Sequence, residues 1–237
     1  MIPQIETKNV SKDYDSVHAL DQVSVSALAG QITSIVGVNG AGKTTLLKIL
    51  AGLDTPGSGR VFVLGREVHA DHLRNHCTMV FQRSVMFGGT VYDNVAYGLR
   101  INGVPGREIP SKVKSALEFV NLDGFEKRKA RKLSSGEQQR VAIARALALE
   151  RDVLLVDEPT ANLDPANAMI IERALKELSR SKSVLLSTHN LPQARRLSDH
   201  IIHLYRGRVV EEGEPSHFFT NPSDDRTKLF IDGELQF

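Results

Sequence analysis

The residues most able to do chemistry stand at four places in the 237-residue chain: Gly37-x4-Gly42-Lys43-Thr44, Gln82, Asp157-Glu158 and His189. In the first, Gly37, Gly40 and Gly42 relieve the backbone of Cβ sterics, so successive N–H groups can turn inward onto one anion. A helix beginning near Lys43 adds its free N-terminal N–H groups and the positive end of its dipole, which makes a polyphosphate the expected guest. The spacing fits the nucleotide-binding P-loop, with Lys43 reaching the β and γ phosphates and the Thr44 hydroxyl on Mg²⁺. The bland alternative is a glycine-rich turn with no ligand. The flanking strand and helix are the context the motif requires.

Asp157 and Glu158 follow the apolar run Val153, Leu154, Leu155, Val156, which reads as a strand buried on both faces of a parallel sheet. Two adjacent carboxylates at the end of such a strand are costly unless they have a cation or a water to hold. A P-loop that brings Mg²⁺ resolves this: Asp157 would hold the metal, directly or through water, and Glu158 would polarise the attacking water. A strand end that merely happens to be acidic is the alternative.

The elements that must position these groups follow from the pattern. Ile32, Ile35 and Val36 make a strand before the P-loop, and Leu46, Leu47 and Leu50 lie on one face of the helix after it, with Gly52 placed to end that helix. Thr78 to Phe81 and Val184 to Thr188 read as further strands, ending at Gln82 and His189. Four strands thus end at chemically active residues, and in a parallel sheet these ends share the edge where open α/β sheets bind ligands. At the N-terminus, alternating segments around Ile5 to Val10 and Val23 to Ala27 suggest half-buried antiparallel strands, separated by a polar stretch from Ser11 to Asp21. Tyr14 in that stretch offers either a stacking face for a base or a partly buried loop side chain.

Between residues 83 and 150 the texture changes to that of a mainly helical insert. Val113, Ala116, Leu117 and Val120 have helical spacing, whereas Gly98 to Pro110 reads as loop. The set Val85, Met86, Phe87, Val91, Tyr92, Val95 and Tyr97 is too apolar for a free surface loop and suggests a docking surface. Five basic residues in positions 127–132 suit a solvated face better than a phosphate site. Ser134 and Glu137 form a capping box at the start of a helix, and Ser135 and Gly136 in its first turn leave N–H groups open to an anion. Asp164-Pro165 starts the next helix as N-cap and first residue. His72 and His76, four apart, invite a metal reading, although a solvated helix face explains them as well.

The chain is 41% hydrophobic and 24% charged, which suits one globular domain, residues 1–237, with a core of 1–82 and 151–237 and an insert of 83–150. The expected class is α/β: a P-loop NTPase core with a mostly parallel sheet, an N-terminal antiparallel β subdomain and an inserted helical subdomain. A net charge of +2 is too small to argue for nucleic acid as partner. The lone Cys77 fits a reducing cytosol, and no apolar run is long enough to span a bilayer. Any membrane role therefore comes through a partner.

Together these residues resemble the nucleotide-binding subunit of ATP-binding cassette (ABC) transporters, over nearly the whole chain. Leu133-Ser-Ser-Gly-Glu-Gln-Gln139 is similar to that family's signature, with Ser135 where glycine is more usual. The resemblance implies that Tyr14 stacks on adenine, and that Gly37, Asn39, Gly40, Ala41, Gly42, Lys43, Thr44 and Thr45 hold the phosphates of ATP. It places Gln82 near Mg²⁺ and the membrane partner, makes Glu158 the catalytic carboxylate and residues 161–164, ending at Asp164, the D-loop, and has His189 contact the γ phosphate. It also implies an ATP-bound head-to-tail homodimer, in which Ser134, Ser135 and Gly136 of one chain close over ATP on the P-loop of the other. Partners would be transmembrane permease subunits and a substrate-binding protein, on the cytoplasmic side of the membrane. The segment from Phe81 to Leu99 looks like import cassettes, and the tail from Leu229 to Phe237 is similar to those of oxyanion-transport cassettes, which suggests tungstate, molybdate or phosphate as cargo, with polar amino acids as the alternative. A soluble ABC protein or a P-loop kinase is the reading from other classes; the first lacks its usual second cassette or coiled coil here, and the second has no use for the signature or His189.

Overall fold

Ile32, Thr33, Ser34, Ile35 and Val36 are all buried and form the centre of a sheet, as the apolar run before the P-loop requires. The computed structural model describes residues 2–161 and 163–235. In chain order it has β1 (Ile5–Tyr14), β2 (Val17–Ala27), β3 (Ile32–Val36), α1 (Lys43–Leu50), β4 (Ser58–Val63), β5 (Arg66–Glu67), α2 (Ala70–Leu73) and β6 (Cys77–Val80). There follow α3 (Val91–Ile101), α4 (Ile109–Phe119), a 3-10 turn (Ala130–Lys132), α5 (Ser135–Leu147), β7 (Val153–Asp157) and α6 (Pro165–Ser179). The last part holds β8 (Ser183–Thr188), α7 (Leu191–Leu197), β9 (His200–Tyr205), β10 (Arg208–Gly213), α8 (Pro215–Thr220) and α9 (Asp225–Ile231). No described helix is long and apolar enough to cross a membrane.

The described residues divide into two compact units: one of Met1–Met79, Asp152–Glu158 and Leu178–Phe237, the other of Val80–Arg151 and Pro159–Glu177. The first holds two sheets, ordered β2-β1-β4-β5 and β10-β9-β3-β8-β7-β6. In the second sheet β3 runs parallel to β8 and β9, and β8 parallel to β7, so the C-terminal ends of β3, β7 and β8 share one edge. The antiparallel β subdomain and the parallel-rich sheet are those of the α/β class the pattern indicated.

α1 packs between the sheets, and Leu46, Leu47, Ile49 and Leu50 are all fully buried. The helix is therefore buried on more than the single face its leucines mark. Truncating Leu47 to Ala would cost about 2–5 kcal/mol. Two glycines here are required by geometry. A Cβ on Gly37 would lie 2.1 Å from the Leu204 carbonyl oxygen, and Gly42, with φ at 106°, would put one 2.5 Å from the Ala19 carbonyl oxygen.

The N-terminal hairpin departs from expectation. β1 and β2 pair continuously to Tyr14 and Val17, so Tyr14 ends a strand and does not sit in a polar connection. Register shifts between Thr7 and Asp13 let a polar run stay in the ladder, which simple alternation does not register.

In the second unit α3, α4 and α5 pack together. α3 continues through Gly98 to Ile101, where a loop was expected. Gly98 serves a close helix contact, since its Cβ would stand 3.2 Å from Leu149 Cδ2. Pro110 lies in the first turn of α4, where its missing N–H costs nothing. The apolar set also divides: Met86 is buried in the loop before α3, and Val91 and Val95 are buried because α3 turns them inward, while Val85, Phe87 and Tyr97 remain exposed at 67%, 42% and 47%. Among the described residues no group of three or more His, Cys, Asp or Glu could hold a metal ion, and α2 ends before His76.

Candidate functional site

Parallel register assembles the site of the first unit. Val36 pairs with Thr188 and Asp157 with Ser187, so Gly37, Glu158 and His189 leave neighbouring strands at the same level. Lys43, on α1, is buried and donates from Nζ to the carbonyl oxygens of Gly37 at 2.8 Å and Val38 at 3.0 Å. The same ammonium lies 3.7 Å from Glu158 Oε1. His189 Nδ1 lies 2.9 Å from Glu158 Oε2, so the carboxylate is held between a cation and an imidazole. Burial pushes the Lys43 ammonium below its usual range, and the Glu158 and Asp157 carboxylates oppose that shift.

Thr44 donates from its hydroxyl to Asp157 Oδ2 at 2.8 Å. Asp157 Oδ1 accepts from the Ser187 hydroxyl. Glu158 has φ at 43°, a left-handed conformation that costs a non-glycine residue about 1–3 kcal/mol. Its N–H is fixed by the Ser187 carbonyl at 3.1 Å and hydroxyl at 3.2 Å. The turn that aims this carboxylate away from the strand is thus held by β8, two residues before His189. Ser187 was not singled out from the sequence; its signal is a polar residue within an apolar buried strand.

Tyr14 is 41% exposed, and its phenol donates to Asp54. Asn39, Gly40, Ala41 and Thr45 lie in the loop and first turn of α1 between Gly37 and the helix body. An oxyanion beside this loop would meet the N-terminus of α1 and one buried ammonium. The paired oxygens of Thr44 and Asp157 are hard donors of the kind Mg²⁺ takes. The residues present therefore fit that ion.

The remaining candidates belong to the second unit. Gln82 follows β6. Ser134 and Glu137 form the capping box: the Ser134 N–H donates to Glu137 Oε2 at 2.8 Å, and Glu137 N–H returns to the Ser134 hydroxyl at 3.3 Å. The Ser134 backbone bond holds the Glu137 carboxyl below its usual range. Ser134 and Ser135 are exposed and Gly136 is buried. A Cβ on Gly136 would stand 2.5 Å from the Asn167 amide carbon. Asn167 in turn donates from N to Asp164 Oδ1 at 3.0 Å and from Nδ2 to Oδ2 at 2.6 Å, so Asp164 caps α6 as its sequence position suggested. Asn167, the residue that shapes this corner, carries no signal in sequence. Of residues 161–164, Asn162 lies outside the described residues.

A parallel sheet whose edge carries a phosphate loop, a buried lysine and a paired acid defines a P-loop nucleoside triphosphatase. Residues 20–161 match the family model described as "ABC transporter". The tungstate uptake system ATP-binding protein TupC of Peptoclostridium acidaminophilum is 40% identical over 91% of this chain and all of its own. The methionine import ATP-binding protein MetN of Pasteurella multocida is 39% identical over 96% of this chain and 70% of its own. Among solved structures, a dimeric ATP-binding cassette in a post-hydrolysis state, bound to ADP and Pi, superposes with a TM-score of 0.81 at 32% identity, covering 89% of this chain and 98% of that one. Phosphate and ferric-ion import proteins stand at comparable identity. The chain belongs to the ABC transporter family, as an ATP-binding and ATP-hydrolysing subunit of importer type.

Proposed function

We propose that this chain powers import of an inorganic oxyanion, with tungstate or molybdate ahead of phosphate, as a peripheral subunit on the cytoplasmic face of a membrane. The observation that carries the chemistry is the contact set around Glu158, with Lys43 Nζ at 3.7 Å and His189 Nδ1 at 2.9 Å. The loop amides, Lys43 and α1 bind and orient the phosphates of ATP. Glu158 accepts a proton from the attacking water, and His189 orients that carboxylate and faces the γ phosphate. Thr44 and Asp157 would hold Mg²⁺, which supplies charge neutralisation of the phosphates when bound. Two chains close head to tail over ATP, with Ser134, Ser135 and Gly136 of each facing the γ phosphate on the P-loop of the other. Because each γ phosphate then bonds two chains, ATP favours the closed pair and hydrolysis removes that preference.

Support for the cargo comes from the tungstate relative, which this chain matches over that protein's entire length. The methionine relative favours amino acid import as the second reading. Reconstitution with the neighbouring membrane and binding proteins, followed by ATPase measurements with tungstate, molybdate, phosphate and several amino acids, tests the assignment. Stimulation by an oxyanion is expected; stimulation by an amino acid alone would overturn it.

The permease docks on the exposed apolar side chains of the second unit. Phe87 and Tyr97 have ring centroids 4.8 Å apart, with Val85 beside them in sequence. Crosslinking from Val85→Cys or Phe87→Cys to a cytoplasmic loop of the coexpressed permease is expected. Failure at both sites would remove this surface.

A further inference from the structure

The inference concerns how Tyr14 is aimed, and it rests on the proposed stacking of that ring on the base of ATP. Tyr14 ends β1, at the open tip of the hairpin, where a strand side chain has no core to lock its rotamer. A ring 41% exposed in such a place would normally sample several orientations. Here it is tied at its far end. The phenol donates to Asp54 Oδ2, and Lys12 donates from Nζ to Asp54 Oδ1 at 2.6 Å and to the Thr55 carbonyl at 2.8 Å. Asp54 also accepts from the Thr55 N–H at 2.8 Å.

Asp54 lies in the turn that follows α1, and its own N–H bonds the Lys48 carbonyl of that helix at 3.3 Å. The clasp therefore runs from the hairpin tip to the helix that begins at the phosphate loop. Lys12 is largely covered, with its side chain 15% exposed, and lies 5.0 Å from the Tyr14 ring centroid. Its ammonium bonds Asp54 and Thr55 while standing over one face of the ring, so a planar ligand would stack on the opposite face.

We propose that Asp54, held by Lys12, is a positioning residue for nucleotide binding: it fixes the Tyr14 ring at a set distance from the phosphate loop, so that base and triphosphate are gripped in register. A side chain ordered in advance spares the ligand the cost of ordering it, about 0.5–1.5 kcal/mol, which corresponds to roughly a two- to tenfold change in affinity. The effect falls on binding of substrate and transition state alike, so it changes KM and not kcat.

The test is the ATPase kinetics of the full chain, with a fluorescent ATP analogue as a direct binding probe. Asp54→Asn and Tyr14→Phe, which keeps the ring and loses the clasp, are each expected to raise KM and the probe Kd by roughly two- to tenfold with kcat within about twofold. Combining them should add little to either alone, since both cut one connection. Asp13→Asn, a neighbouring exposed carboxylate bonded to His18, serves as the control and leaves KM unchanged. Thermal unfolding confirms that each variant is folded, and should Asp54→Asn not fold, Tyr14→Phe carries the test.

If Asp54→Asn raises KM equally in a Tyr14→Ala background, the carboxylate does not act through the ring and the inference is wrong. If Asp54→Asn and Tyr14→Phe leave KM unchanged while Tyr14→Ala raises it, the ring stacks but needs no clasp. If Tyr14→Ala itself leaves KM unchanged, the stacking role fails and takes the inference with it.

Discussion

The phosphate loop with its acid pair and the N-terminus of α5 both present helix N–H groups of the kind that suit an anion, yet their side chains are tied together to different degrees. In the first unit Lys43, Thr44, Asp157, Glu158 and His189 bond to one another across three parallel strand ends. In the second, Ser134 and Glu137 bond each other, as do Asp164 and Asn167, and Ser134 and Ser135 stay exposed. The first arrangement carries two buried carboxylates, an imidazole and a buried cation; the second carries a helix N-terminus with two exposed serines. On the proposed function the first is the chemical site and the second a surface that completes one in a partner, the division of labour a head-to-tail pair would require.

The sharpest break is expected at Lys43. Replacement by Ala removes a buried cation beside two carboxylates and should lower turnover by about 10³-fold, with nucleotide affinity falling as well. Steady-state ATPase and direct nucleotide binding check this. A variant within tenfold of the parent would show that the first unit is not the chemical one.

Next in size is Ser135→Asp. At the first position of α5 a carboxylate suits the helix dipole, so the unit should remain folded or become slightly more stable. Turnover should nevertheless fall by about 10²-fold, because like charge facing the partner's γ phosphate costs several kcal/mol. Nucleotide binding by the single chain should not change. Gly136→Asp is a poorer instrument, since any Cβ there also strikes Asn167.

Gly136→Ala isolates that steric effect. It is expected to destabilise the second unit by about 1–3 kcal/mol through displacement of Asn167 from Asp164, measured by urea unfolding, with a smaller loss of turnover than Ser135→Asp.

How much of this was legible in sequence depends on the range of the interactions. The phosphate loop, the acid pair and both helix caps are local: their spacing alone states the backbone geometry they need. The signature role of residues 134–136 is not physical in that sense, since a capped helix looks the same whether or not a partner uses it, and it was read by resemblance. Ser187, Asn167 and Asp54 were missed because each acts on a residue from a distant part of the chain. Gly98 misled for a related reason. Glycine signals a loop locally, while here it answers a packing need set by Leu149. Of the apolar residues after Gln82, those on α3 face inward or outward by helical phase, which hydrophobicity alone does not state, and the loop residues Val85, Met86 and Phe87 divide without a periodic signal.

The smallest expected effect separates the two regions by pH. His203, buried on β9 beside Val36, stacks on Phe230 at 4.6 Å and bonds Thr227 at 2.9 Å. Burial pushes its pKa down to about 4, against the pull of the Asp224 and Glu211 carboxylates. The unfolded chain then binds the proton first, so stability is full above the ordinary value near 6.5 and falls by at most about 1.4 kcal/mol per pH unit down to about 4. His203→Gln should flatten this slope. Urea unfolding at pH 5 and pH 7 measures it, and an unchanged slope would remove His203 as its source.

The central claim, a chemical half completed by a partner's surface, is tested most directly by Glu158→Gln. The amide keeps the shape of the side chain and removes its basicity, so MgATP should bind and persist, and size-exclusion chromatography with light scattering should show a dimer that forms only with MgATP. A chain that binds MgATP yet stays monomeric at micromolar concentration would contradict the account.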